Sequence, residues 1–349
     1  PGGRATVLMS TEAQGATAPQ LDATTRGFGW MLLGMAAFTA WDQWAIWSTK
    51  DDYTFGYLVP VFSGYVLWER WADLNAWLVG SRSAPGPANR PWHLRFIAAL
   101  TFAALLTFAL GAAARAITGT GVVPTLAIAF GFVGTALGCT FLSVQGPQQT
   151  EATGRARMAA VALMLFPVGV WLISGPFLYL IDNQIKGELL TNVTELVSGI
   201  LRATGHTIRV SGNTIIFANN DAVGVADACS GIRSFSACVF VGAFLGAIFL
   251  EGEPLGSLVR RMAMIALSAG AAILLNIGRN TYLAFHAMNH GSRSLDRDYS
   301  GLEPGSPGFS SFGTVHDFAG NAAMLLAFLV LLACVPLLNR LGRRPASPA

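Results

Sequence analysis

A thiol, two guanidinium groups and an imidazole stand at or within the apolar runs of this sequence. The stretch "ADACSGIRS", residues 226–234, places Cys229 and Arg233 at the start of a long apolar run. Arg279 lies inside a second run, in "LLNIGRNTYLAF", and His316 opens a third, in "VHDFAGN". A helix start and a nearby arginine favour a thiolate, an arginine can hold an oxyanion, and histidine transfers protons near neutral pH. These residue types suit acyl transfer through a thioester.

Composition places this chemistry in a membrane. Apolar residues make up 53% of the chain and charged residues 12%, which is too apolar for a soluble domain of this length. The net charge is only +3, and the arginines are scattered between apolar runs instead of forming one basic face. We therefore expect no nucleic-acid partner. No cofactor is expected either.

Eight apolar stretches approach the roughly 20 residues that a helix needs to cross a bilayer. They are residues 28–47, 55–71, 96–114, 121–143, 158–180, 230–250, 262–285 and 317–338. The fold class is therefore all-α: a polytopic integral membrane protein with about eight transmembrane helices in one domain, 28–340. Residues 1–27 read as a disordered cytoplasmic tail, without the apolar run of a signal peptide, and 341–349 as a second tail.

The arginines predict the orientation, because short cytoplasmic loops retain positive charge. With the N-terminus inside, the inner segments hold Arg70, Arg82, Arg90, Arg95, Arg155, Arg157, Arg260, Arg261, Arg340, Arg343 and Arg344. The short outer loops hold only Lys50 and Arg115. Both termini are then cytoplasmic, and Cys229, Arg279 and His316 share one depth at the outer boundary. A bacterial inner membrane, with the active site on its extracytoplasmic side, is the expected location.

Two polar segments are predicted outside the membrane. In the outer insertion, 181–228, apolar residues recur at helical spacing from Leu189 to Leu201, which predicts an amphipathic helix lying on the outer leaflet. "HTIRVSGNTIIF" then alternates about Ser-Gly-Asn, which predicts a β-hairpin. The hairpin is either a lid over the thiol or a surface that pairs with an extended substrate. The Gly-, Ser- and Pro-rich outer loop within 286–315 is expected to be flexible and to gate entry from the bilayer.

Other reactive residues have simpler interpretations. We expect Cys139, Cys238 and Cys334 to be inert apolar residues inside spans. Asp42 is either a buried functional group or a residue near the outer headgroups.

Two other function classes stay open. His286 and His290 lie four residues apart in "FHAMNHG" and could form a three-histidine zinc site with His316, although the carboxylate of zinc-protease helices is missing. We expect no metal, and the zinc hydrolase is the weaker alternative. A transporter or polysaccharide-export component would use Arg279 to bind an anionic substrate and would not need Cys229.

At these residues the sequence resembles the exosortase and archaeosortase family of membrane transpeptidases. "ADACSGIRS" resembles the family's cysteine block, "NIGR" at 276–279 its Asn-x-x-Arg, and "HDFAGN" at 316–321 its histidine block. "DDYTFGYLVPVFSGYVLWER" is similar to an early outer segment of the family. Asp227 departs from the glutamate that is more frequent there, which leaves a role for that carboxylate doubtful.

The resemblance implies a protein-sorting cysteine protease or transpeptidase. Its partners would be exported proteins whose C-terminal signal consists of a short motif, a transmembrane helix and a basic cluster. Cys229 would be the nucleophile, Arg279 the partner of the oxyanion and His316 the general acid or base. Supporting or substrate-contacting roles would fall to Asp227, Ser230, Arg233 and Asn276. A membrane lipid, another amine or water would resolve the thioester, and the acceptor is unknown.

Overall fold

Helices make up most of the molecule. The computed structural model describes residues 21–82, 91–146, 151–174, 176–224, 232–298, 300–310 and 313–342. The helices there are α1 (Ala23–Thr49), α2 (Val59–Glu69), α3 (Trp71–Leu78), α4 (Pro91–Thr118), α5 (Val122–Ser143), α6 (Gly154–Ile173), α7 (Pro176–Ala203), α8 (Ile232–Phe249), α9 (Leu258–His290) and α10 (Val315–Gly342). Two 3₁₀ helices, Asp51–Leu58 and Ser292–Leu295, accompany them.

Five of the described helices are long and apolar enough to cross a membrane. They are α4 from Trp92 onward, α5, α6, α9 and α10. The expectation of a multi-pass, mostly helical membrane protein is therefore confirmed, whereas the number of eight spans is not. The other three expected spans fall on α1, on the 11-residue helix α2 and on α8, whose apolar part Ser234–Phe249 is shorter than a full span.

The stretch predicted as the fifth span, 158–180, contains parts of two helices instead of one. Helix α6 ends at Ile173 and α7 begins at Pro176, so the prediction of one continuous helix was wrong at its end. Proline has no backbone N–H and disfavours the helical conformation of the residue before it, which suits the first position of a new helix. The polar outer insertion consequently begins as the continuation of α7.

Helices α4 and α5 pack along a seam of glycines. A methyl group on Gly131 would lie 2.6 Å from the Cα of Phe108, and one on Gly134 would lie 2.7 Å from the Cβ of Ala104. Small residues let two helix backbones approach closely. The resulting van der Waals packing stabilises helix association inside a bilayer, where the hydrophobic effect does not drive it. The rest of α4 is largely exposed, so this seam is its main attachment to the protein.

At one end of the bundle, arginine side chains bind main-chain carbonyls near helix ends. These bonds pair Arg157 with Phe141 of α5, Arg260 with Leu338 of α10 and Arg70 with Ala247 of α8. The last carbonyls of a helix have no hydrogen-bond partner within it and carry partial negative charge. A guanidinium group supplies both a hydrogen-bond donor and a positive charge. All three arginines belong to the set predicted to lie inside, and the structure gathers them at the same end.

Helix α1 contributes a buried polar contact to its neighbours. Asp42 is completely buried, and its Oδ1 accepts from the Nε of Arg115 on α4 at 2.7 Å. Gln43 donates to the Trp171 carbonyl at 3.0 Å and accepts from the hydroxyl of Ser174 at 2.5 Å. Of the two interpretations of Asp42, the structure supports burial and assigns the carboxylate to an ion pair between α1 and α4.

The predicted hairpin is present and has one additional strand. Strands β1 (Ile208–Ser211) and β2 (Thr214–Phe217) are antiparallel, with Ser211 opposite Thr214, and β3 (Ala222–Gly224) pairs with β2. Gly212 begins the two-residue turn with φ +59°, a conformation that glycine adopts without strain. The third strand has only three residues, too few for the alternating pattern that revealed the other two.

The amphipathic helix forms the second half of α7, but most of its apolar face packs on protein. Val193, Val197 and Leu201 are buried in one cluster with the sheet and the outer part of α9. Of the side chains of this face that the structure describes, Leu196 and Ile200 remain exposed. The expectation that this face lies on the outer leaflet was therefore wrong for most of it, because the sheet and α9 cover it.

Replacing Gly131 with alanine should destabilise the protein by about 1–3 kcal/mol, because the added methyl forces α4 away from α5. Gly169→Ala in α6 is the matched control, since a methyl there meets nothing within 4 Å. Thermal unfolding in detergent should show a lower midpoint for Gly131→Ala and an unchanged or higher one for Gly169→Ala. Equal midpoints for the two variants would contradict the seam.

Candidate functional site

Helices α9 and α10 bring Arg279 and His316 together. His316 is the second residue of α10, and Arg279 lies three turns before the end of α9. The Nη2 of Arg279 donates to the main-chain carbonyl of His316 at 3.5 Å. Gly320 lies one turn further along α10, and a methyl group there would sit 3.4 Å from the same nitrogen, so the guanidinium lies against α10. Two residues predicted to share one depth are therefore neighbours.

The guanidinium of Arg279 is incompletely hydrogen bonded. Its five N–H donors form one long bond within the part of the chain that is described, and the buried Nε has no partner there. The acceptor is the backbone of His316, so the bond does not depend on the imidazole. Spare donors on a fixed cation are what binding of an anionic oxygen requires.

A second pair of polar side chains lies beside Arg279 on α9. Asn276 and Asn280 are each 6% exposed. The Asn280 amide nitrogen donates to the Asn276 carbonyl at 2.8 Å and to its side-chain oxygen at 3.2 Å. Because both acceptors are oxygens, the contact fixes the orientation of both amides and leaves the Asn276 NH₂ directed away from Asn280. Sequence analysis did not single out Asn280, although a spacing of four residues places Asn276 and Asn280 on the same face of a helix.

A small pocket opens between α8, α9 and α10 next to these groups. Its lining residues are Ser234, Cys238, Ala272, Leu275, Asn276, Arg279, Ala323, Met324 and Ala327. Asn276 and Arg279 provide donors in an otherwise mostly apolar recess. Cys238 is buried, as expected, and lies in this wall.

The start of α8 faces the same pocket. Ser234 is its third residue and lines the recess opposite α9. Three predicted site residues, Cys229, Asp227 and Ser230, lie outside the described residues. Arg233 belongs to the first turn of α8, and its side chain also falls outside the description. The structure thus brings together Asn276, Arg279 and His316 and leaves the position of the thiol as a prediction.

The three histidines do not form a metal centre. The rings of His286 and His290 stack at 4.4 Å between centroids near the end of α9. Within the described residues, no group of three His, Cys, Asp or Glu side chains is arranged to hold a metal ion. His286, His290 and His316 are all among those residues, so the zinc-site alternative was wrong.

The sheet and α7 pack against the two helices that carry the site. Ile215 and Phe217 of β2 are buried in one cluster with Leu283 of α9 and Ala319 of α10. Leu283 lies one turn beyond Arg279, and Ala319 lies one turn beyond His316. The outer insertion therefore rests on the parts of both helices that carry the candidate site.

The loop after α9 is organised by two carboxylates that sequence analysis missed. Asp221, before β3, accepts from the backbone N–H and the hydroxyl of Ser292, and these bonds hold the pKa of Asp221 below its usual value. Asp298 accepts from the N–H groups of Ser300, Leu302 and Ser310. The described part of the predicted flexible loop thus has internal bonds and a tie to the sheet, while its role as a gate stays a prediction.

One family of known proteins matches most of the chain. A sequence model described as transmembrane exosortase (Exosortase_EpsH) matches residues 47–333. This range runs from the end of α1 into α10 and includes Cys229, Asn276, Arg279 and His316. No curated protein and no solved structure shows a significant match to the chain.

Proposed function

Because the chain belongs to the transmembrane exosortase family, we propose that it is a cysteine protease or transpeptidase that cleaves C-terminal sorting signals of exported proteins. The observation that carries the proposal is the Arg279 guanidinium, held against α10 beside His316 with donors to spare. Cys229 precedes the first residue of α8 by three positions, and three residues span at most about 11 Å. Chain connectivity therefore allows the thiol to reach the pocket that Ser234, Asn276 and Arg279 line, which supports the proposal.

The proposed reaction begins with attack of the Cys229 thiolate on a substrate carbonyl carbon. A C–S bond forms, and the carbonyl oxygen takes the negative charge, which Arg279 stabilises by a few kcal/mol in poorly hydrated surroundings. The C–N bond then breaks, and His316 passes a proton to the leaving amine. The remaining thioester is resolved by an amine, such as that of a membrane lipid, or by water.

The family and the charge distribution support a proposal for the substrate and for the location. We propose that the enzyme acts on exported proteins with a short motif, a transmembrane helix and a basic cluster at their C-terminus. The arginines that bind helix ends would face the cytoplasm, and the Arg279 end would face outward in an inner membrane. Asp227, Ser230, Arg233 and Asn276 are proposed to support the reaction or contact the substrate.

A transporter or polysaccharide-export component is the second candidate function, since Arg279 faces an interhelical pocket and could bind an anion. The two functions differ in whether they need the Cys229 thiol.

Cys229→Ala should abolish processing of a tagged exported reporter that carries a C-terminal tripartite segment from the same genome, because no thioester can form. Cys334→Ala, in α10, is the control and should process normally. Normal processing by Cys229→Ala at equal membrane abundance, seen on an immunoblot, would favour transport.

Arg279 and His316 should fail at different stages. Arg279→Lys keeps the charge but loses the planar fork of N–H donors, so the processing rate should fall by roughly 10²-fold or more.

His316→Ala retains the main-chain carbonyl that Arg279 contacts, so any loss of processing rate reports the role of the imidazole. If His316 protonates the leaving amine, little acyl-enzyme should form. If it activates the acceptor, a hydroxylamine-sensitive adduct should accumulate on Cys229. Wild-type rates in either variant would remove that residue from the mechanism.

The two asparagines should behave as one unit. Asn280 bonds to Asn276 and Asn276 lines the pocket, so we expect Asn280 to influence turnover through Asn276. We expect Asn276→Ala and Asn280→Ala to lower kcat, and the double variant to be no slower than Asn276→Ala alone. Reporter processing at equal membrane abundance measures the three rates. Multiplying effects in the double variant would show that Asn280 acts independently, as a structural residue.

A further inference from the structure

The outer sheet has two edges, and its register shows which backbone groups point away from it. The Phe217 N–H donates to the Asp221 carbonyl, so the backbone groups of Phe217 face β3 and not β1. Successive residues of a strand alternate between its two neighbours. Ile216 therefore pairs with Arg209 of β1, while Ile208, opposite Phe217, directs its own N–H and C=O outward. By the same alternation, Val210 also points outward.

The β3 edge is closed. The outward N–H of Ala222 donates to the Asp221 side chain at 2.9 Å. The same carboxylate binds the backbone N–H and the hydroxyl of Ser292 at 2.6 and 2.5 Å, which fastens the loop after α9 to this side of the sheet. Little of β3 is left to pair with another strand.

The β1 edge is open. No residue that the structure describes hydrogen bonds to the outward N–H and C=O groups of Ile208 and Val210. Arg209, Val210 and Ser211 are exposed, and Val210 keeps 38% of its surface accessible. Two outward-facing residues offer two donors and two acceptors, which an added strand of about four residues would satisfy.

This edge belongs to a sheet that rests on the candidate site. Ile208 of β1 is buried in the same cluster as Leu283 of α9 and Ala319 of α10. Those two residues follow Arg279 and His316 by one helical turn. Because neighbouring strands lie about 4.8 Å apart, a strand added to β1 would lie roughly 10 Å from β2, within reach of the site.

We propose that the open edge of β1 binds an extended segment of the exported substrate, immediately before its transmembrane helix, by strand addition. The inference rests on the proposed function, because a thiolate can attack only a peptide bond outside helical structure, and substrate next to the scissile bond must therefore be extended. Main-chain bonds would give affinity with little demand on sequence. Alternate substrate side chains would lie on the face of Ile208 and Val210, where apolar residues fit, and on the face of Arg209.

Proline at position 210 tests the main-chain bond. Val210→Pro removes an outward N–H without touching the β1–β2 ladder, and proline is tolerated at such an edge position. Val210→Ala is the matched control, because it shortens the side chain and keeps the N–H. In proteoliposomes with the tagged tripartite reporter, Val210→Pro should raise KM roughly threefold to tenfold at unchanged kcat, and Val210→Ala, which loses side-chain contact alone, should raise KM by less.

Photo-crosslinking gives a readout that does not depend on the proline variant folding. Benzoylphenylalanine in place of Val210, in a Cys229→Ala background that cannot turn the reporter over, should crosslink to the residues before the reporter's transmembrane helix. The same group in place of Leu196, which is exposed on α7 and lies outside the sheet, should not. Mass spectrometry of the adduct identifies the crosslinked segment.

The outcomes separate the inference from the function on which it rests. Equal KM values for Val210→Pro and Val210→Ala, with Cys229→Ala inactive, would overturn strand addition and leave the enzyme intact. Crosslinking of position 210 to a second copy of this chain, or a change of oligomeric state in Val210→Pro, would make the edge a self-association surface and also overturn the proposal. Processing by Cys229→Ala would instead refute the function itself.

Discussion

An arginine inside a bundle of apolar helices needs polar partners for a charge that water does not reach, and this requirement organises both ends of the molecule. At one end, Arg70, Arg157 and Arg260 bind carbonyls near the ends of α8, α5 and α10. Each bond removes an unsatisfied acceptor together with an unsatisfied donor, so one contact offsets two desolvation costs. These bonds hold the helices together near the helix ends.

Arg279 meets the same requirement less completely at the other end. Its bond to His316 is long, and its Nε is buried without a partner among the described residues. An incompletely satisfied guanidinium costs stability, but it also binds an incoming negative oxygen more strongly than a neutral carbonyl. Since a peptide carbonyl acquires its charge only on attack, this difference would favour the transition state over the bound substrate. Arg157 also has a buried Nε without a partner among the described residues, but its Nη1 donates to two carbonyls of α5, whereas Arg279 makes one long bond.

Sequence patterns predicted the parts of the fold that depend on one segment at a time. Apolar length located the helices, and Ser-Gly-Asn between alternating residues located the hairpin. The charge distribution placed Arg279 and His316 at one depth, which the structure supports as a direct contact. Patterns failed where a second segment decides the outcome. The apolar face of α7 was read as lipid-facing because nothing in its own residues shows that the sheet covers it. Asp221 looked like an ordinary loop residue because its partner, Ser292, lies 71 residues further along the chain.

The outer sheet could not exist without the helices that carry the candidate site. Three strands of three or four residues are too small to be stable alone, so β1 and β2 depend on burying Ile208, Ile215 and Phe217 against neighbouring helices. Those helices include the outer parts of α9 and α10, whose relative position also sets the contact between Arg279 and His316. The proposed binding edge and the proposed oxyanion partner are thus parts of one packing unit. A shift between α9 and α10 would disturb both, so the proposed substrate recognition and the proposed chemistry would be coupled without any separate moving element.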